Sequence, residues 1–124
     1  MFIAGGTGIA PLRAMLRHAL HGAHEQIGLF YSARAPGEFA YERELQLLAR
    51  ERLIELRQTV TRDLASDSWT GARGRIGLGD LAPLIHDPAT MCFVCGPPAL
   101  VEEMPRLLGE LGIARHRIRV EEWN

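Results

Sequence analysis

Met1-Phe2-Ile3-Ala4-Gly5-Gly6-Thr7-Gly8-Ile9-Ala10-Pro11-Leu12 opens the chain, and its reading decides the fold. A short apolar run meets a glycine turn, after which Leu12, Met15, Leu16, Ala19 and Leu20 recur at helical spacing until Gly22. The order is strand, glycine turn, helix. Glycines at such a turn let a backbone pass close to a pyrophosphate, while free N–H groups and the helix dipole favour its negative charge. Gly6-x-Gly8-x-x-Pro11 departs from the dinucleotide fingerprint at its third glycine, where Pro11 stands. Proline suits a first helical turn, because its missing N–H would have no partner there, so the anion site survives the departure. The rival reading is a tight turn that binds nothing. The first strand falls short of the mean of about 5 to 6 residues, so the chain reads as beginning mid-fold.

The alternation continues outward. Ile27-Gly28-Leu29-Phe30-Tyr31 is a buried strand, and Ala40 to Arg52 carries Tyr41, Leu45 and Leu48 on one helical face. Leu53 to Thr61 alternates as a third strand, and Arg62 to Gly79 reads as a polar loop. A loop longer than about 12 to 15 residues is more often functional than idle, which gives Asp63 to Gly77 weight as a binding loop. A short helix over Asp80 to Ile85, a fourth strand over Met91 to Cys95, a helix over Pro97 to Leu111 and a closing strand over His116 to Trp123 complete the chain. Pro105 is expected to kink that last helix, or to restart it after a break near Met104. Alternation of this kind predicts an α/β fold: an open, mostly parallel five-stranded sheet with helices on both faces, a Rossmann-like nucleotide-binding domain over residues 1–124.

Composition agrees with an ordinary globular domain. The chain has 124 residues, 47% of them hydrophobic and 23% charged, with a formal net charge of -1. That size buries roughly two thirds of the unfolded surface. Nothing in the balance points to nucleic acid, and no apolar run reaches the length of about 18 residues that would span a membrane. Two cysteines are too few for a disulfide framework, and with no signal peptide the expected compartment is the cytoplasm. All fourteen basic residues are arginine, a bias with little bearing on function, although arginine grips phosphate in a fork that lysine cannot form.

A second glycine turn, Cys95-Gly96-Pro97-Pro98, follows the fourth strand. In open parallel sheets ligands bind beyond the carboxyl ends of strands around a switch point, so both turns face one crevice. Gly5-Gly6-Thr7-Gly8-Ile9-Ala10-Pro11, Tyr31-Ser32-Ala33-Arg34, Thr61-Arg62, Gly74-Arg75-Ile76, Cys95-Gly96-Pro97-Pro98 and Glu121-Glu122-Trp123 together resemble the pyridine-nucleotide domain of the ferredoxin-NADP reductase family, in order and spacing along nearly the whole chain. The resemblance implies a domain that holds NADPH or NADH while a separate β-barrel holds FAD or FMN, with hydride passing from nicotinamide C4 to flavin N5. The barrel and its Arg-x-Tyr-Ser/Thr motif have no counterpart here.

Carried over residue by residue, the resemblance puts Gly5, Gly6, Thr7, Gly8 and Pro11 around the pyrophosphate and nicotinamide. Cys95 and Thr7 position the nicotinamide ring, with Gly96 and Pro97 beside it. Ser32, Arg34, Thr61 and Arg62 meet the adenosine ribose or its 2′-phosphate. Two arginines there favour NADPH, since a guanidinium bonds phosphate bidentately, whereas NADH readers often present an acid to the ribose 2′-hydroxyl. Asp63 beside Arg62 pulls the other way. Arg75 is expected to brace the long loop, and a strand-end arginine is otherwise usually a solvated charge.

Other constellations reduce to plain structure. Cys92 and Cys95 lie three apart on a strand and point to opposite faces, so no metal site is expected. His18, His21 and His24 do not share a helix face and read as solvated. Glu102, Glu103 and Glu110 form the wet face of the last helix. Trp123 is placed beside the flavin by the resemblance, although a terminal tryptophan is as often simple packing.

The functional expectation is therefore the NAD(P)H-binding half of a flavin-dependent oxidoreductase, enzymatic only with a flavin-binding domain or subunit and passing electrons on to an acceptor protein. The alternative is a fragment, or a nucleotide-binding or interaction module, without electron transfer of its own. An apolar patch near Thr7, Cys95 and Trp123 is expected to promote self-association.

Overall fold

A computed structural model describes residues 1–22, 24, 26–62 and 68–123. Ten main elements follow in order: β1 (Phe2–Gly5), α1 (Ile9–His21), β2 (Gly28–Ala33), α2 (Glu42–Arg50), β3 (Glu55–Val60), β4 (Ala72–Arg73), α3 (Leu78–Leu81), β5 (Cys92–Gly96), α4 (Pro98–Glu110) and β6 (Ile118–Glu122). They build a six-stranded sheet in the order β4-β3-β2-β1-β5-β6, and each strand pairing is parallel.

Alternation along the strands sorts the core into two layers. Phe2, Ala4, Leu29 and Tyr31 point to one face, where Ile9, Leu12 and Leu16 of α1 and Leu45 of α2 cover them. Met1, Ile3, Phe30 and Val94 point to the other, beneath Leu81 of α3 and Met104, Leu107 and Leu108 of α4. Both layers are apolar because a parallel sheet sandwiched between helices has no wet face. Each fully buried leucine among them stabilises the fold by roughly 1.5–3 kcal/mol. Cys95 belongs to the first layer and Cys92 to the second, on opposite faces as the strand period requires.

The expected five strands become six. The extra one, β4, lies inside the stretch read as a loop and pairs Ala72 with Thr59 and Arg73 with Val60. Two exposed residues carry no periodic signal, so only tertiary bonds define this strand. The Gly74 N–H donates to the Val60 carbonyl at 2.8 Å, and buried Thr59 donates its hydroxyl to the Gly74 carbonyl at 2.7 Å. Residues 63–67 of the expected binding loop, Asp63 among them, lie outside the described residues.

Element ends moved for local reasons. α2 starts at Glu42, later than expected, because Tyr41 takes a left-handed conformation at φ 58°. α3 starts earlier, where the Asp80 carboxylate accepts the Gly77 N–H at 2.8 Å. α4 begins at Pro98, where the missing N–H is harmless, and continues through Pro105 as one helix, so the alternative of a break near Met104 is not taken. Met104, Leu107 and Leu108 are buried on the sheet on both sides of that proline, and this burial outweighs the one hydrogen bond lost.

Candidate functional site

Strand order reverses between β1 and β5, which is the switch point of the sheet. A cleft of about 850 Å³ opens there over the carboxyl ends of the strands. Of the residues singled out from sequence, Gly5, Gly6, Thr7, Ser32, Arg34, Thr61, Arg62 and Pro97 line it, joined by Arg75 and Trp123. Gly8, Pro11, Cys95 and Gly96 do not line it.

The glycines divide by task. Gly6 has φ +52°, and a Cβ built on it would meet nothing within 4 Å. The turn thus needs glycine for its backbone angle, and the space above is open to a ligand. Gly8 is the reverse: a Cβ there would overlap the Cys95 carbonyl group, because the start of α1 lies directly against β5. Gly5 and Gly96 are adjacent, and a Cβ on either would come 2.8 Å from Leu100 Cδ2. Gly6–Gly8 form a single 3-10 turn leading into α1, and neither has a side-chain cap or an acidic residue in its first turn. The positive end of the helix thus has no acidic residue of its own first turn to offset it.

At the β2 and β3 ends the cleft is cationic. Thr61 donates its backbone N–H to the Ala33 carbonyl at 2.9 Å, and Arg62 to the Arg34 carbonyl at 3.0 Å, so the ladder carries past both strands and sets the two arginines side by side. Arg34 is held by Glu38 at 2.9 Å. Among the described residues no acid pairs with Arg62 or Arg75. Glu103, the other acid of the cleft wall, is taken up by Arg106.

At the opposite end, the Trp123 N–H donates to the Gly96 carbonyl at 2.6 Å and prolongs the β5–β6 ladder. This places a side chain 40% exposed on the cleft wall, away from the core. Cys95 is 1% exposed, so what it presents towards the glycine turn is its carbonyl against Gly8, not its thiol. Burial pushes that thiol's pKa up, and the neighbouring Glu121 carboxylate pushes it further. Burial also raises Cys92 and, against the opposing Ala40 N–H bond, the Tyr31 phenol. In all three the folded chain keeps its proton to higher pH than the unfolded chain. The stabilisation from keeping them neutral is therefore complete below the unfolded thiol pKa of about 8.5 and declines as pH rises beyond it. The midpoint of thermal unfolding is expected to fall between about pH 7 and about pH 10, and a thiol reagent to label neither cysteine before the chain unfolds. Rapid labelling of Cys95 in the folded chain would contradict this burial.

Three residues of the wall escaped the sequence reading. Arg75 was assigned to the loop, yet the positive φ of Gly74 turns the chain so that Arg75 lines the cleft. Glu38 follows β2 in a segment whose fold no periodicity signals, and Tyr41, read as part of the α2 stripe, stands before that helix instead. A smaller hollow of about 570 Å³ runs beside the first half of β3, where β4 supplies no partner, and is lined by Gln46, Arg57, Gln58 and Trp69 among others. Among the described residues no group of three His, Cys, Asp or Glu converges as metal ligands, and no helix is long and apolar enough to cross a membrane.

A parallel sheet with a glycine turn at its switch point and a cationic cleft over its strand ends defines the class: a dinucleotide-binding α/β domain. Residues 2–105 match the family described as oxidoreductase NAD-binding domain, and the chain belongs to it. It is 36% identical to ferredoxin--NADP reductase B of Sorangium cellulosum (strain So ce56), covering 100% of this chain and 54% of that protein. Among solved structures it is similar to the cytochrome b5 reductase domain of Ulva prolifera nitrate reductase, with 25% identity and a TM-score of 0.82 over 98% of this chain and 47% of that one. It is also similar to the flavohemoglobin from Malassezia yamatoensis with bound FAD and heme, at 26% identity and a TM-score of 0.79, covering 99% of this chain and 31% of that one. The chain thus spans about half the length of its relatives or less and corresponds to their NAD-binding part.

Proposed function

We propose that the cleft holds NADPH in preference to NADH and presents its nicotinamide to a flavin carried by another domain or subunit. The observation that carries this reading is the wall at the β2 and β3 ends, where Arg62 and Arg75 stand without acidic partners among the described residues. Two guanidinium groups there suit a 2′-phosphate, which takes charge-assisted bidentate bonds. Among the described residues of that wall, Glu38 is the acid that would favour a ribose hydroxyl instead, but its carboxylate is bound to Arg34.

The open space above Gly6 and the uncapped start of α1 fit a pyrophosphate. Thr7 and Pro97 then stand along the nicotinamide half, with Trp123 at its end. Cys95 and Gly96 contribute from beneath, through close backbone packing with Gly8 and Gly5. Pro11 supports the first turn of α1. When bound, the nicotinamide supplies a hydride and the flavin accepts it. This chain's task is to orient the donor, which requires no general base. A cytoplasmic location, an electron-acceptor protein and self-association through the patch near Thr7 and Trp123 belong to the same reading; Cys95, expected in that patch, is buried and adds no surface to it.

Calorimetric titration with NADPH and then NADH tests it. Micromolar binding that favours NADPH is expected, and binding of neither nucleotide would overturn the proposal. Because the chain covers only part of its relatives, a nucleotide-binding module without electron transfer is the second reading. NADPH-driven bleaching of added FAD separates the two, since only a reductase half turns over.

A further inference from the structure

We infer that Tyr41 is the platform on which the nucleotide's adenine base stacks, an assignment that rests on the nucleotide reading of the cleft and extends it to the base. Among the described residues Tyr41 is one of two non-glycine residues at positive φ, with φ 58° and ψ 27°. For a bulky aromatic residue that is a true outlier, and it falls at the start of α2, where an extended backbone is the ordinary choice. Strain of this kind persists only where surrounding contacts impose it, and such residues gather at ligand clamps.

The contacts here hold the ring rather than bury it. The Arg13 guanidinium lies 4.4 Å from the ring centroid, over one face, and Glu44 fixes that guanidinium from α2. Just before Tyr41, the Ala40 N–H donates to the buried Tyr31 hydroxyl at 3.0 Å, which anchors the chain entering the turn. The Tyr41 carbonyl accepts the Leu45 N–H at 3.0 Å and fixes the chain leaving it. After all this the residue remains 39% exposed and lines the cleft. An aromatic ring backed by a cation on one side, held in a strained backbone and still open to a cleft, is built to receive a flat π-system.

Topology selects which flat group. Tyr41 belongs to the connection after β2, on the side of the cleft that carries Arg34, Arg62 and Arg75. The glycine turn lies between this side and the β5–β6 side, where Trp123 stands. With pyrophosphate at the turn, the half of the nucleotide reaching Tyr41 is the adenosine half.

Titrations of the full chain with adenosine 2′,5′-bisphosphate and, separately, with inorganic pyrophosphate distinguish the roles. Tyr41→Ala is expected to weaken the bisphosphate about tenfold or more, as loss of one base–aromatic stack does, and Tyr41→Phe to restore it to within about twofold of the parent. Pyrophosphate affinity is expected to be the same in all three. In proton NMR of the unaltered chain, the adenine H2 and H8 signals are expected to move upfield on binding, a shift kept by Tyr41→Phe. That measurement does not depend on the alanine variant folding. Bisphosphate binding without an upfield shift would overturn the platform while leaving the nucleotide reading intact, as would an equal loss for pyrophosphate. A folded parent chain that binds neither NADPH nor the bisphosphate would overturn both.

Discussion

Gly8→Ala is expected to destabilise the chain by about 3 kcal/mol or more, the upper part of the range for overpacking a tight site, and to abolish nucleotide binding. The new methyl group would overlap the Cys95 carbonyl carbon and oxygen and press on the Gly96 nitrogen at 2.8 Å. Those atoms are backbone of a central strand, paired to β1 on one side and β6 on the other. No side-chain rotation relieves the overlap, so α1 must lift from β5. Lifting it separates Ile9, Leu12 and Leu16 from the layer beneath and displaces the glycine turn. Thermal unfolding is expected to show a midpoint lowered by roughly 10 °C, and calorimetry no binding of NADPH. Gly6→Ala makes the contrast: its Cβ meets nothing, so only the left-handed backbone opposes it, at about 1–3 kcal/mol. Gly8→Ala with native stability would mean that the close approach of α1 to β5 is not as described.

Arg62→Ala is expected to weaken NADPH by about 1.5–3 kcal/mol, the value of a hydrogen bond to a charged group, while NADH binding changes little. That is roughly a tenfold to 150-fold selective loss. Arg75→Ala is expected to act in the same direction, and the pair together to invert the preference. Arg34→Ala is expected to do less, because Arg34 must exchange Glu38 for the phosphate and gains only the difference. Competitive titration of NADPH and NADH against each variant reads this directly. Equal losses for both nucleotides would show that Arg62 meets the pyrophosphate, no loss for either that it meets nothing, and in both cases the 2′-phosphate assignment would fall.

Both outcomes turn on how much of the molecule is local. The order of the main strands and helices was legible because period and punctuation are properties of neighbouring residues. Phe2 to Gly5, the glycine turn and the apolar stripe from Leu12 to Leu16 declare strand, turn and helix without reference to the rest of the chain. The strand ends where ligands gather follow from parallel topology, and eight of the twelve residues named for binding line the cleft accordingly.

What sequence left open depends on distant partners. Strand β4 exists because Thr59, Val60 and Gly74 bond across the chain, and two residues hold no period to announce it. Gly6 and Gly8 read alike as letters. Only packing separates the glycine needed for its backbone angle from the one needed because β5 lies against it. Arg34, Arg62 and Arg75 are equivalent cations in sequence, and the tertiary fold decides which is held by an acid and which faces the cleft with no acidic partner among the described residues. Cys95 read as a residue meeting the ring and lies 1% exposed in the core. Tyr41 read as part of a helical stripe and became the exposed, left-handed residue before the helix. Sequence by itself determined the layers, the glycine turn and the edge of the sheet where a dinucleotide would lie, because those follow from local periodicity and chain direction. Tertiary structure alone decided the existence and register of β4, the pairing of charges and the side chains that face the cleft, because those are set by contacts between residues far apart in the chain.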